Sequence, residues 1–229
     1  MEFFESLLRF DEQLFLQING IHSPWWDTAM LFFTRKESWL PLYLIVLWLI
    51  VRNYSRRSWL IVIFLAIGLV VSDQGTGIIK EITERLRPGY NEHISDLTHI
   101  VLRKGGKYGF PSSHASNSFF LLAFTGYLFR NRITFLVLLL WALLVSYSRI
   151  YTGAHFPFDV AGGWLLGFTT GWIFYRLLLE AESKGRGKRR KPLKNPLPPG
   201  QAQALALVFF TLLFTLLTAV YILHKYDFL

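Results

Sequence analysis

Three short stretches hold most of the residues able to do chemistry. In "KEITERLRP", Lys80 and Arg87 are seven apart, so on a continuous helix both project from one face, and Pro88 stops the helix behind them. In "GFPSSHAS", Pro111, Ser112 and Ser113 precede His114, which opens an apolar run. Backbone N–H groups at such a helix start form a ready anion site, and serine hydroxyls extend it. In "SRIYTGAHFPFD", Ser148 and Arg149 close one apolar segment, and His155 and Asp159 lie four apart at the start of the next. That spacing stacks them on one helical face, where a carboxylate can orient an imidazole and stabilise its charged form. Arg149 supplies a planar fork suited to phosphate.

Each stretch also has an ordinary structural reading. Cations favour helix C-terminal ends, serines cap helices, and a His–Asp pair can be a plain structural contact. Taken together, two histidines, an aspartate, two arginines and a lysine converge on one membrane face. Three cations with hydroxyls and backbone donors describe a pocket for a dianion, most naturally a phosphoryl group. A histidine backed by aspartate can attack phosphorus, and a second histidine can protonate the leaving oxygen. The spacing predicts a phosphohydrolase at the membrane surface.

The elements that must position these groups are helices. The chain is 52% hydrophobic and 17% aromatic, with 17% charged residues, and its apolar runs approach the roughly 20 residues that cross a bilayer. The expected fold is all-α: a polytopic transmembrane helical bundle of about six spans with an N-terminal amphipathic interfacial helix. Apolar segments at 39–51, 59–79, 116–129, 133–147, 158–179 and 202–223 supply the spans. Residues 3–18 place Phe3, Leu7, Phe10, Leu14 and Ile18 at helical spacing among charges, a pattern that lies in the interface. After turn signals in "NGIHSPWW", residues 25–34 are apolar but too short to cross alone. The expected divisions are an interfacial region (1–35), a catalytic helical core (36–181), a basic linker (182–201) and a C-terminal transmembrane helix (202–229). The first residues lack the basic start and cleavage site of a secretory signal, so the N-terminal segment is expected to be retained.

A net charge of +9 could indicate nucleic acid, but the cations concentrate in alternate loops: Arg52, Arg56 and Arg57; Arg130 and Arg132; and the run 183–200. That pattern places those loops in the cytoplasm and the three chemical stretches on the extracytoplasmic side, with lipid rather than nucleic acid as the partner. The 183–200 run also reads as a solvated, flexible linker. There is no cysteine, which removes disulfides and thiolate metal sites. Neither a cofactor nor a metal is implied, since no carboxylate cluster resembles a magnesium site. Asp73, seven residues before Lys80, lines the cavity or bonds between helices. Arg103, Lys104 and Lys107 offer a second anion site or a solvated loop. His93 and His99 read as surface residues, and Trp25, Trp26, Trp39, Trp59 and Trp141 as interface anchors or bundle packing.

The three stretches resemble, in order, the motifs of the type 2 phosphatidic acid phosphatase superfamily: K-x-x-x-x-x-x-R-P, P-S-G-H, and S-R-x-x-x-x-x-H-x-x-x-D. Lys80, Arg87 and Pro88 fit the first; Ser148, Arg149, His155 and Asp159 fit the third. Pro111, Ser112 and His114 fit the second, with Ser113 where the pattern has glycine. The resemblance implies that His155 is the nucleophile of a phosphohistidine intermediate, oriented by Asp159. It implies that His114 is acid and then base, and that Lys80, Arg87, Ser112 and Arg149 bind phosphate; Ser113, small and polar where the pattern has glycine, is expected to donate to phosphate as well. The expected substrate is a phosphorylated membrane lipid at the inner membrane. Undecaprenyl diphosphate is favoured by the compact chain and the basic loop. Phosphatidylglycerophosphate, phosphatidic acid and lipid A are the alternatives. Lipid-to-lipid phosphotransfer, or binding or transport without turnover, would use the same pocket.

Overall fold

The computed structural model describes residues 2–101, 105–184 and 196–226. These form an all-α bundle. Helix α1 (Glu2–Asn19) leads into α2 (Pro24–Thr34), α3 (Leu40–Tyr54) and α4 (Ser58–Thr83). After a long irregular connection come α5 (Ser113–Phe129), α6 (Arg132–Tyr151), α7 (Pro157–Lys184) and α8 (Pro199–Lys225). Each expected span corresponds to one of α3 to α8. Among the described residues, three helical stretches are long and apolar enough to cross a membrane: Glu37–Thr83, which contains α3 and α4, then Arg132–Tyr151 and Pro199–Lys225. Arg103 and Lys104, and residues 185–195 of the basic linker, lie outside the described residues.

Local chemistry sets the helix ends. Ser23 caps α2 by accepting the Trp26 N–H, with Pro24 at the first helical position. Asn131 caps α6 by accepting the Thr134 N–H at 3.2 Å. Glu84 and Arg130 adopt left-handed conformations, with φ of 47° and 49°, and so end α4 and α5.

Helix α5 runs through the centre and is buried over most of its length. Its closest neighbour is α7, and glycine is the reason. Gly163, Gly167 and Gly171 recur every fourth residue along α7. A Cβ there would meet the Ser112, Ser116 and Phe120 carbonyls, respectively. Backbones approach this closely only where side chains are missing, the small-residue seam of membrane helices. Because α5 carries His114 and α7 carries Asp159, this seam holds the two stretches in register. Trp39 and Trp141 pack inside the bundle, their ring centroids 6.3 Å apart, whereas Trp26 and Trp59 are exposed.

Helix α1 presents an unexpected face to the bundle. Asp11, Phe15 and Asn19, four apart, are fully buried, while Phe3 and Phe10 are exposed. The apolar stripe that stands out in the sequence therefore faces outward in part, and a stripe with two polar residues is the one that docks. Phe15 meets Phe156 edge-on at 5.3 Å. Asn19 donates to the Tyr151 and His99 carbonyls at 2.8 and 3.0 Å and accepts the His99 N–H at 2.8 Å.

Candidate active site

Lys80 and Arg87 reach one place by a different route from the shared helical face. Helix α4 ends at Thr83, where Glu84 turns left-handed with its N–H on the Lys80 carbonyl. The chain then runs extended, and an isolated antiparallel bridge joins Leu86 to Tyr108. Arg87 N–H meets the Lys107 carbonyl at 3.1 Å, and Gly109 N–H meets the Arg85 carbonyl at 2.7 Å. The turn at Glu84, not Pro88, stops the helix. The bridge ties the first stretch to the second and aims Arg87, whose Nε donates to the Tyr108 carbonyl at 3.1 Å and whose Nη1 reaches the Ala154 carbonyl at 3.3 Å.

The second stretch begins α5 at Ser113, so His114 sits in the first turn, as its spacing suggests. Ser112 N–H donates to the Asp159 carbonyl at 2.8 Å, joining the second stretch to the third. Ser112 Oγ is buried with no protein partner among the described residues. Ser113 Oγ bonds Lys80 Nζ at 2.5 Å and Thr76 Oγ1 at 2.6 Å.

In the third stretch, His155 and Asp159 do not stack on one helix. His155 lies in the connection before α7, and its N–H and that of Ala154 both return to the Arg149 carbonyl, at 3.2 and 3.0 Å. This fold-back, through Gly153 at φ +72°, brings His155 beside Arg149. Asp159 sits in the first turn of α7 and accepts the Phe156 N–H at 3.1 Å. Its Oδ2 lies 3.4 Å from His155 Nδ1, in ion-pair range although Nδ1 makes no hydrogen bond to protein among the described residues. Gly109 gives this carboxylate its room: a Cβ there would lie 2.7 Å from Asp159 Oδ2. Arg149 is nearly enclosed and donates from Nη1 to Thr34 Oγ1 at 2.5 Å, while its Nε has no protein partner among the described residues.

The structure thus brings together all eight residues singled out by spacing. Burial and the nearby charges of Arg87, Arg149 and Lys80 hold the His155 pKa well below its usual value. A neutral imidazole beside three cations keeps a lone pair free at a site whose charges suit an anion. His114 lies within the fields of Arg149, His155, Lys36 and Lys80. It also lines a cavity of about 420 Å³ between α3, α4, α5 and α6. Near His114 that cavity is polar, with Lys36, Asp73, Gln74 and Asn117; farther along the helices it is walled by residues such as Val46, Ile50, Leu65, Leu69, Leu121 and Trp141. Asp73 both lines the cavity and accepts from Asn117 Nδ2 at 2.9 Å.

Two participants escape the spacing patterns. Arg85 donates from Nη1 to Asp159 Oδ1 at 2.7 Å and from Nη2 to Asp11 Oδ2 at 2.5 Å. Asp11 in turn accepts the Phe158 N–H at 3.0 Å. Arg85 sits between two motif positions and could pass for another boundary cation, and Asp11 occupies a helix that looks merely amphipathic. The reading of His99 as a partnerless surface residue is corrected. Its Nε2 pairs with Asp27 Oδ1 at 2.9 Å and its ring stacks on His22 at 3.7 Å. The turn after α1 and the loop before residue 101 meet only in the folded chain. His93 is exposed, as expected. Of the second anion site, only Lys107 is described, its ammonium 5.7 Å over the Tyr108 ring.

The chain has relatives among known proteins. A family model described as the PAP2 superfamily matches residues 57–183. A lipid A 4'-phosphatase of Bacteroides thetaiotaomicron is 42% identical over 175 residues, covering 75% of this chain and 78% of that protein. An undecaprenyl-diphosphatase of Sulfolobus acidocaldarius is 31% identical over 192 residues, covering 81% and 84%. The crystal structure of Aquifex aeolicus LpxE superposes with a TM-score of 0.58 at 23% identity, over 72% of this chain and 93% of that one. That last likeness is one of fold.

Proposed function

The chain belongs to the PAP2 superfamily and is a membrane lipid phosphatase, and from that premise we propose that its substrate is a phosphorylated glycolipid of the lipid A class. The observation that carries this is the cavity beside His114. Asp73, Gln74, Asn117 and Lys36 offer acceptors and donors suited to a hydroxylated sugar, and the apolar chamber beyond suits acyl chains. A prenyl diphosphate has no sugar hydroxyls to occupy that polar part. The 42% identity to a lipid A 4'-phosphatase, against 31% to an undecaprenyl-diphosphatase, supports the same choice. It displaces the preference for undecaprenyl diphosphate drawn from the basic loop.

The chemistry follows from the site. Lys80, Arg87, Arg149 and the Ser112 hydroxyl hold the phosphoryl oxygens. The phosphate dianion, once bound, offsets the cations around His114 and lets it carry a proton; the ring nitrogen of His155 that faces away from Asp159 attacks phosphorus as the P–O ester bond breaks, and His114 delivers that proton to the departing sugar oxygen. His114 then takes a proton from water, whose oxygen attacks phosphorus; the P–N bond breaks and inorganic phosphate leaves. Asp159 stabilises the charge that His155 carries while phosphorylated. Ser113 serves the pocket through Lys80. The arginines at the opposite helix ends, Arg52, Arg56, Arg57, Arg130 and Arg132, support an extracytoplasmic site in the inner membrane.

The test is a substrate panel in detergent with a chelator present: bis-phosphorylated lipid A, undecaprenyl diphosphate and phosphatidylglycerophosphate. The expected result is fastest phosphate release from lipid A. Faster release from undecaprenyl diphosphate would overturn the substrate class. Turnover by His155→Ala would overturn the histidine mechanism.

A further inference from the structure

We infer that Arg85 is a positioning residue for phosphoryl transfer, acting through Asp159, and that Asp11 of the N-terminal helix holds Arg85 in place. The inference rests on the histidine mechanism proposed above and adds two residues to it. Both carboxylates are fully buried. They share one guanidinium in a two-pronged contact, Asp159 on Nη1 at 2.7 Å and Asp11 on Nη2 at 2.5 Å. The guanidinium also lies 4.7 Å over the Phe156 ring, next to His155 in the chain. A carboxylate enclosed by protein stays ionised when a cation and hydrogen bonds compensate its lost water. For Asp159 these are Arg85 at Oδ1 and the Phe156 N–H at Oδ2. Oδ2 is thereby left facing His155 Nδ1 at 3.4 Å.

Charge counting explains why this acts on turnover. Two carboxylates and one guanidinium carry a net charge of −1 while His155 is neutral. Phosphorylation at the other ring nitrogen makes the imidazole cationic, and the cluster becomes balanced. The contact is therefore stronger in the transition state than before it, the condition for raising kcat. Arg85 is committed to carboxylates and so stands apart from the phosphate-binding cations. Asp11 adds a second tie, since its Oδ1 accepts the Phe158 N–H at 3.0 Å and so fixes the helix start that carries Asp159. Helix α1 is thus coupled to the reaction, although its residues include none of the family motifs.

The experiment compares purified full-length wild-type protein with Arg85→Met, Arg85→Lys, Asp11→Asn and, in parallel, His155→Ala, using phosphate release from bis-phosphorylated lipid A. Arg85→Met is expected to lower kcat on the order of 100-fold with KM within about threefold, as for loss of a group that orients a reacting histidine through a carboxylate. Arg85→Lys should recover to within about tenfold of wild type, and Asp11→Asn should lose about three- to tenfold in kcat. Added guanidinium should partly rescue Arg85→Met. Wild-type kcat in Arg85→Met beside an inactive His155→Ala sinks this inference alone. So do equal losses in the Met and Lys variants with KM rising in step, the mark of a binding or purely structural role. If Arg85→Met does not fold, wild-type kcat in both Arg85→Lys and Asp11→Asn overturns the inference in its place. Turnover by His155→Ala instead removes the mechanism on which the inference stands.

Discussion

The Lys80 ammonium meets the Ser113 hydroxyl at 2.5 Å, and Thr76 meets the same hydroxyl at 2.6 Å. Where the family pattern has glycine, this chain uses a side chain to fix the direction of a half-buried cation. Ser113→Ala is expected to raise KM about five- to tenfold while leaving kcat within about twofold, the size of one charge-assisted hydrogen bond. Steady-state kinetics on lipid A vesicles or micelles measure it. An unchanged KM would show that Lys80 needs no such support.

His155 is held neutral by burial and by Arg87, Arg149 and Lys80. Its folded pKa lies below the unfolded value of about 6.5, so below that pH the unfolded chain binds a proton that the folded chain does not. Stability from this group is complete above about pH 6.5 and declines as the pH falls. At pH 5.5 the loss should be about 1.4 kcal/mol, because one pH unit below the unfolded pKa costs one proton's worth of binding energy. Denaturation of wild type and His155→Gln in detergent at about pH 7.5 and 5.5 checks this: the variant should lose less on acidification. Equal losses would place the acid sensitivity elsewhere.

Gly109 packs against Asp159 and Arg87. A Cβ there would lie 2.7 Å from Asp159 Oδ2 and 3.2 Å from Arg87 Cγ, so Gly109→Ala must displace one or both. Misplacing a catalytic group by about 1 Å costs on the order of 100-fold, and kcat/KM should fall by about 10- to 100-fold in protein that still folds. A variant of normal activity would mean that the 107–109 segment can retreat at no cost.

The cavity should read the lipid's tail independently of its phosphate. Leu69→Trp fills its apolar part, whose walls include neither Lys80 nor His155. KM for long-chain lipid A should rise about tenfold or more, while hydrolysis of a short, water-soluble phosphomonoester stays unchanged. Loss of both activities in parallel would show that the cavity supports the site and does not hold the tail.

Much of this was legible along the chain. Apolar runs of bilayer length marked the helices from α3 to α8, because the periodicity of a span is written in consecutive residues. Lys80, Arg87, Ser112, Ser113, His114, Arg149, His155 and Asp159 stood out because polar groups at membrane edges are costly and their spacings are short. The routes by which they meet were less legible. The left-handed Glu84 and the Leu86–Tyr108 bridge, rather than one helical face, bring Lys80 and Arg87 together. A fold-back onto the Arg149 carbonyl, rather than a helical turn, sets His155 beside Asp159.

By itself the sequence determined a helical membrane protein and the chemical types present at its site, since hydropathy and residue identity are properties of single positions and near neighbours. Only the tertiary structure decided which carboxylates and cations are partners. Asp11 and Arg85 are 74 residues apart, as are Arg85 and Asp159. Neither separation has a period that a helix could impose. On α1, burying Asp11 and Asn19 is tolerable because Arg85, the Phe158 N–H, and the Tyr151 and His99 backbone complete their hydrogen bonds. Those partners come from distant segments, so a face that reads as polar in the chain becomes, once folded, the face that docks beside the His155–Asp159 pair.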